Sequence, residues 1–163
     1  MTTTMNRLPV ATWNPLGVNY APASAALPTV PADGWAKAET LSPALPAGVT
    51  APAEADFGDF AASGMGAETD TWLAENANLV NHLAVSGTAD APIVFENTLD
   101  AAHPHALTYL TIDAAEGSSL TVVQVVRGDA ENGVSASLTR IRAAENAHVT
   151  LVQVQLLGNR ARR

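Results

Sequence analysis

Residues 112–125 read I-D-A-A-E-G-S-S-L-T-V-V-Q-V, and residues 141–154 read I-R-A-A-E-N-A-H-V-T-L-V-Q-V. The two stretches lie 29 residues apart and match at Ile112/Ile141, Ala114/Ala143, Ala115/Ala144, Glu116/Glu145, Thr121/Thr150, Val123/Val152, Gln124/Gln153 and Val125/Val154. Leu120/Val149 and Val122/Leu151 are conservative exchanges. A repeat of this length signals stacked units, because one unit cannot bury its own apolar face and must lay it on a neighbour. The unit is two short β runs joined by A-A-E-G or A-A-E-N. Gly117 and Asn146 occupy the same place in both copies, and both residue types tolerate positive φ, so a left-handed corner is expected between the strands. A degraded third copy precedes them. Leu83-Ala84-Val85 and Ile93-Val94-Phe95 align with Leu110-Thr111-Ile112 and Leu120-Thr121-Val122 at an offset of 27. Like strands laid over like strands predict a mainly β chain, a parallel β-solenoid, with Ile112 stacked on Ile141 and Val123 beside Val152.

Composition narrows the function. The chain has 163 residues, enough for one domain with a core, and a formal charge of −8. Lys37 is its single lysine, and three arginines (Arg160, Arg162, Arg163) at the C-terminus do not make the basic face that nucleic acid requires. There is no cysteine, which excludes disulfides, thiolate chemistry and cysteine ligation of zinc or an iron–sulfur cluster by this chain. No apolar run approaches the roughly 18 residues of a membrane span. The first ten residues lack a charged region followed by an apolar one, so a cytoplasmic protein is expected.

The prolines concentrate before residue 53, and residues 21–56 are rich in Pro, Ala and Gly without apolar periodicity. An extended or poorly ordered segment is expected there. Trp13, Leu16 and Val18, and further on Phe57, Phe60 and Met65, are apolar enough to dock on something. Residues 67–77 read as a short helix, with Thr69 or Asp70 as a cap and Asn76 or Asn78 at its end. From Leu83 onward the pattern is β, with loops at 96–104 and 128–133. Three regions are thus expected: an N-terminal segment over 1–64, a short helix and linker over 65–82, and the solenoid core over 83–163. The last strand pattern stops at Leu157 with no cap after it. That predicts either a fragment or a chain whose open end, around Val152, Val154 and Leu156, is covered by a partner.

The candidate chemistry is sparse. His103-Pro104-His105 is the one close histidine pair and would supply two metal ligands, with His148 as a distant third. The next acid is Asp113, too far for the spacing such sites use, so an exposed turn is the simpler reading of the pair. His148 is expected to face solvent or its stacked neighbour, and His82 to sit at the helix C-terminus as a dipole partner. Glu116 and Glu145 would stack one unit apart as solvated turn residues. Gln124 and Gln153 would form a structural amide ladder. No phosphate loop, nucleophile elbow, zinc-protease motif or dinucleotide fingerprint is present. No catalytic, cofactor-binding or metal residue is assigned, and no cofactor is expected. A free-standing solenoid that binds carbohydrate would need stacked aromatics where this repeat has Val, Gln and Thr.

Four stretches together resemble the SufB/SufD family of iron–sulfur cluster assembly proteins, SufD more than SufB. They are Thr12-Trp13-Asn14-Pro15-Leu16-Gly17-Val18-Asn19; Gly64-Met65-Gly66 with the helix ending in Glu75-Asn76-Ala77-Asn78; Asp90-Ala91-Pro92-Ile93-Val94-Phe95-Glu96-Asn97-Thr98-Leu99; and the repeat itself. The resemblance implies a right-handed parallel β-helix flanked by helical segments. It implies a non-enzymatic subunit that works through a SufB-like protein and the SufC-like ATPase as a scaffold for cluster assembly. Family members are roughly twice this length or more, so the chain is expected to match their N-terminal part. The family's cysteine and histidine cluster positions belong to later coils and carry over to no residue here. The alternative is a small metal-binding β protein using His103 and His105, which metal analysis would separate from a scaffold subunit.

Overall fold

The computed structural model describes residues 33–36, 38–40, 44–52, 67–131 and 133–158. The expectations placed on Trp13, Leu16, Val18, Phe57, Phe60 and Met65 lie outside these residues. The described elements are β1 (Ala38–Thr40), β2 (Val49–Thr50), α1 (Ala67–Asn76), β3 (Leu79–Val85), β4 (Ile93–Leu99), β5 (His105–Ala114), β6 (Ser119–Gly128), β7 (Val134–Ala143) and β8 (His148–Leu157).

From β3 onward the strands alternate between two four-stranded sheets, in the orders β1-β4-β6-β8 and β2-β3-β5-β7. The pairs β3/β5, β5/β7, β4/β6 and β6/β8 are all parallel. Their register is constant: Leu83 pairs Ile112, Ile112 pairs Ile141, Ile93 pairs Val122, and Val123 pairs Val152. The period is therefore 29 residues from the first unit as well as the later ones, not the 27 read for the degraded copy. The two offsets differ by two residues, and strand side chains alternate with period two. A slip of two keeps every side chain on its face, so short apolar triplets do not distinguish the registers.

The corners are as the repeat predicts. Gly117 and Asn146 have φ of 66° and 56°. Successive corners are bonded to one another: Gly117 N–H donates to Glu145 O (3.0 Å), Ala144 N–H to Ala114 O (2.9 Å) and His148 N–H to Ser118 O (2.8 Å). Backbone donors that leave the sheets are thus satisfied between units rather than by water. Glu116 and Glu145 are exposed, as expected of turn residues.

The two sheets share one core. Leu83, Val85, Leu110, Ile112 and Ala114 from one sheet pack with Ile93, Phe95, Leu120 and Val122 from the other. Ile93, Leu110, Ile112 and Val122 have no exposed surface at all. Full burial of each such side chain stabilises by about 1.5–3 kcal/mol before chain entropy is counted. On β5 the intervening residues Leu107 and Tyr109 point the other way and pack with Leu73 of α1, Leu138 of β7, and Trp35 and Trp72. Both faces of β5 are therefore covered.

Helix α1 ends where its asparagines predict. Asn76 Nδ2 donates to Trp72 O at 2.8 Å, and Ala77 N–H donates to Leu73 O at 3.0 Å. Asn78 then fixes the entry to β3. Its Nδ2 donates to Ala36 O, and its Oδ1 accepts from Leu107 N–H at 2.9 Å. The β pattern begins at Leu79, four residues before the sequence placed it, and β4 runs on to Leu99 instead of stopping at Glu96. Asn81, Glu96 and Asn97 hide these extensions because they are polar residues inside strands. Within residues 21–56, the described part is paired and not merely extended. β1 lies antiparallel on β4, β2 lies antiparallel on β3, and Trp35 bridges His105.

Candidate functional site

The two ends of the sheets differ. At one end the outer edges of β3 and β4 are covered by the short antiparallel strands β2 and β1. At the other end β7 and β8, consecutive in the chain, are the outermost strands of the two sheets, with no further strand beside them among the described residues. Unpaired N–H and C=O groups on an edge strand are a template for another chain. Of the large hydrophobic side chains most exposed among the described residues, three belong to this edge: Ile141 (41%), Val152 (40%) and Leu156 (61%).

The side chains of this edge are not arranged as the sequence indicates. Val152, Val154 and Leu156, expected to surround the open end, lie on the outer face of β8. They alternate with Leu151, Gln153, Gln155 and Leu157, and it is the latter set that shares the register face of the buried Val122 and Gln124. Val149 and Leu151 pack on the main core, and Leu157 on a satellite of it. Val152 and Val154 thus point outward and Gln153 and Gln155 inward, the reverse of the usual alternation, so pattern alone points to the wrong face. Gln124 is 6% exposed. Its Oε1 accepts from Gln153 Nε2 at 3.1 Å and from Thr139 Oγ1 at 3.5 Å. The amide ladder expected of Gln124 and Gln153 is present. It belongs to a polar tier inside the sheets that also holds Asn97 Nδ2 donating to Thr108 Oγ1 at 3.4 Å.

A second polar cluster lies under α1. Asp70, expected as a helix cap, is inside the helix and 5% exposed. Its Oδ2 accepts from Arg140 of β7 at 3.3 Å, and the Arg140 guanidinium lies 6.0 Å from the Tyr109 ring centroid. His82 is not a dipole partner at the helix end. It is in β3, 8% exposed, with Nδ1 2.8 Å from Thr111 Oγ1 and its ring edge-on to Tyr109. Tertiary burial, invisible to a local reading, recruits both residues. Burial pushes the Tyr109 hydroxyl pKa up, although the adjacent Arg140 works against the shift.

Burial also pulls the His82 imidazole below its usual 6.5. The unfolded chain then binds the proton more readily than the folded one. The contribution to stability is present above the ordinary imidazole pKa and is lost as pH falls below it. The urea midpoint is therefore expected to drop between pH 7.5 and pH 5, and part of that drop should vanish in His82→Gln. Equal drops in both proteins would show that His82 is not the group responsible.

The histidines proposed for a metal are dispersed. His103 is a half-exposed residue of the turn made by Asp100, whose Oδ1 accepts from the backbone N–H groups of Ala102 and His103 and lies 3.2 Å from His103 Nδ1. Those backbone donors hold the Asp100 carboxyl below its usual pKa. His105 is not in an exposed turn. It begins β5, its ring lies edge-on to Trp35, and its Nδ1 is buried with no hydrogen-bond partner among the described residues. His148 is exposed at the corner end of β8, in register with Ser119 as the repeat predicts. That is the opposite end of strands of 10 residues, about 30 Å from His105 at 3.3 Å per residue. No group of three or more His, Cys, Asp or Glu residues that could hold a metal ion occurs among the described residues. Metal analysis of the purified chain is expected to show no stoichiometric zinc or iron. About one metal per chain, lost on combining His103→Ala with His105→Ala, would contradict this.

On the outer faces, Arg142 Nε donates to Asp113 Oδ1 at 3.0 Å, which lowers the Asp113 pKa, and Arg127 pairs with Glu96. The Arg142–Asp113 pair is exposed on both sides and contributes little to stability. No helix among the described residues is long and apolar enough to cross a membrane. Comparison of the chain with protein-family models, with curated proteins and with solved structures gave no match.

Proposed function

We propose that this chain is a non-catalytic subunit of an iron–sulfur cluster assembly scaffold of the SufBCD type, acting in the cytoplasm through a SufB-like protein and a SufC-like ATPase. The observation that carries the reading is the asymmetry of the two sheet ends. One end is covered by β1 and β2, whereas β7 and β8 are the outermost strands of both sheets among the described residues. A subunit that works by docking needs such a face, and no described cluster has the arrangement of a catalytic site. In this reading the 29-residue units are coils of a right-handed parallel β-helix. The hand follows the strong preference of connections between parallel strands of one sheet.

Of the stretches that suggested the family, two lie wholly among the described residues. The 90–99 stretch forms the entry to β4 and β4 itself, and the repeated A-A-E-G and A-A-E-N segments form the two corners. The test is co-expression of the tagged chain with a SufB-like protein and a SufC-like ATPase, followed by affinity purification without oxygen. A stoichiometric complex competent to hold iron and sulfide is expected. Purification of the chain alone, with both proteins soluble and abundant, would overturn the proposal.

An uncovered edge also has a consequence for the isolated chain. Despite a charge of −8, it is expected to self-associate progressively with concentration. Light scattering checks this directly. A monodisperse monomer up to roughly 100 μM, where edge-driven association should be evident, would mean that the edge is covered.

A further inference from the structure

The two sheets differ on their outer faces. We infer that residues 12–18, T-W-N-P-L-G-V, dock within the same chain on the outer face of the sheet β1-β4-β6-β8, across the valine rows of β4, β6 and β8. This does not depend on the scaffold reading.

The face is apolar at its centre. Register places Val94, Val123 and Val152 in one row and Val125 beside Val154 in the next. Strand β6 has a neighbour on each side, so the half-burial of Val123 and Val125 reflects an open face and not an open edge. Leu120 and Val122, which point the other way on the same strand, are 2% and 0% exposed. Thr121 with Thr150 bounds the valine rows on one side, and Arg127, paired with Glu96, on the other. The other sheet is treated differently. Leu73 of α1 packs on Leu107, Tyr109 and Leu138 of its outer face. The helix thus covers that sheet, and among the described residues no helix covers the valine rows. Apolar sheet surface of this kind is normally covered.

The chain itself selects the occupant. Trp13, Leu16 and Val18 are followed by a spacer over 20–32 that carries Pro22, Pro28 and Pro31. A proline-rich spacer of that length spans about 40 Å at ~3.1 Å per residue, more than the ~33 Å of a strand like β6. It meets the fold at Asp33, just ahead of β1, which is a strand of this same sheet. There Gly34 and Ala36 are bonded to His105, where the chain crosses from β4 to β5. Phe57, Phe60 and Met65, by contrast, lie between β2 and α1, both on the other sheet. A tether holds its end at an effective concentration in the millimolar range, so a modest affinity suffices where a free partner would need a far higher one. Pro15 biases Asn14 toward extended backbone, which suits a flat pleated face. Trp13 supplies a large ring with one N–H, and the threonine hydroxyls at the margin supply acceptors for it.

The chain has no cysteine, so single thiols report on chosen places. With Val125→Cys, alkylation of the full chain is expected to be about tenfold slower than in the same chain carrying Trp13→Ala and Leu16→Ala, the factor that about 1.4 kcal/mol of docking supplies. Equal rates in the two chains would overturn the inference. So would protection that appears only as protein concentration rises, because a second copy would then be the occupant. A pair of thiols tests the placement without the alanine substitutions. Leu16→Cys with Val125→Cys is expected to be bridged within one chain by a short bis-maleimide several-fold faster than Leu16→Cys with Asp113→Cys, which lies on the outer face of the other sheet. Equal rates at the two faces, or a preference for position 113, would contradict it.

Discussion

Alanine at position 128 is expected to destabilise the fold by about 4 kcal/mol, the upper range for a single substitution. Gly128 closes β6 with φ of 126°, a backbone region open essentially to glycine. It pairs in register with Leu99. A Cβ added there would fall on the Leu99 carbonyl oxygen and lie 2.8 Å from the carbonyl carbon. Both obstacles are backbone and neither rotates away. Leu99 is 1% exposed and belongs to a core satellite with Ala36, Leu79, Ala106 and Ala130. Displacing it disturbs the stacking of the first unit on the second. Gly87 serves as the control, because an added Cβ there meets nothing within 4 Å. Gly87→Ala should change stability by less than about 0.5 kcal/mol. Urea unfolding of the two variants checks this, and matching midpoints would refute the close approach at position 128.

Asp70→Ala is expected to cost about 3 kcal/mol, or roughly 9 °C in melting temperature. The carboxylate is 5% exposed and is bonded to Arg140, so its removal leaves a guanidinium under α1 without that partner. The loss belongs mainly to the stranded charge, not to the pair as such. Replacing both partners with apolar residues of similar size, Asp70→Leu with Arg140→Met, should therefore recover most of the stability. If the double variant falls by the sum of the single losses, the ion pair is itself a net stabiliser and this account of it is wrong.

The architecture was legible because the repeat is long and its register is fixed by identical residues. Ile112 over Ile141 and Val123 beside Val152 follow from the sequence alignment alone, and so do the corners at Gly117 and Asn146. Helix α1 followed from its composition and terminal asparagines. What stayed hidden has two physical causes. One is parity: inward Gln124, Gln153 and Gln155 beside outward Val123, Val125, Val152 and Val154 invert the pattern from which a buried face is normally read. The other is distance along the chain. Asp70 meets Arg140 across 70 residues, and His82 meets Thr111 across 29. Only the folded arrangement makes these buried partners out of residues that look like a cap and a helix-end charge. The close approach at Gly128 likewise depends on Leu99 in the neighbouring strand.

The central claim is that the paired edge of β7 and β8 is where the chain meets its partner. Amide hydrogen exchange of residues 134–157, measured on the isolated chain and on its complex with a SufB-like protein, tests it most directly. The account predicts rapid exchange of the outward edge amides in the isolated chain and strong protection of both strands in the complex, with the β3 and β4 end unchanged. A complex that leaves the exchange of β7 and β8 unaltered would contradict it.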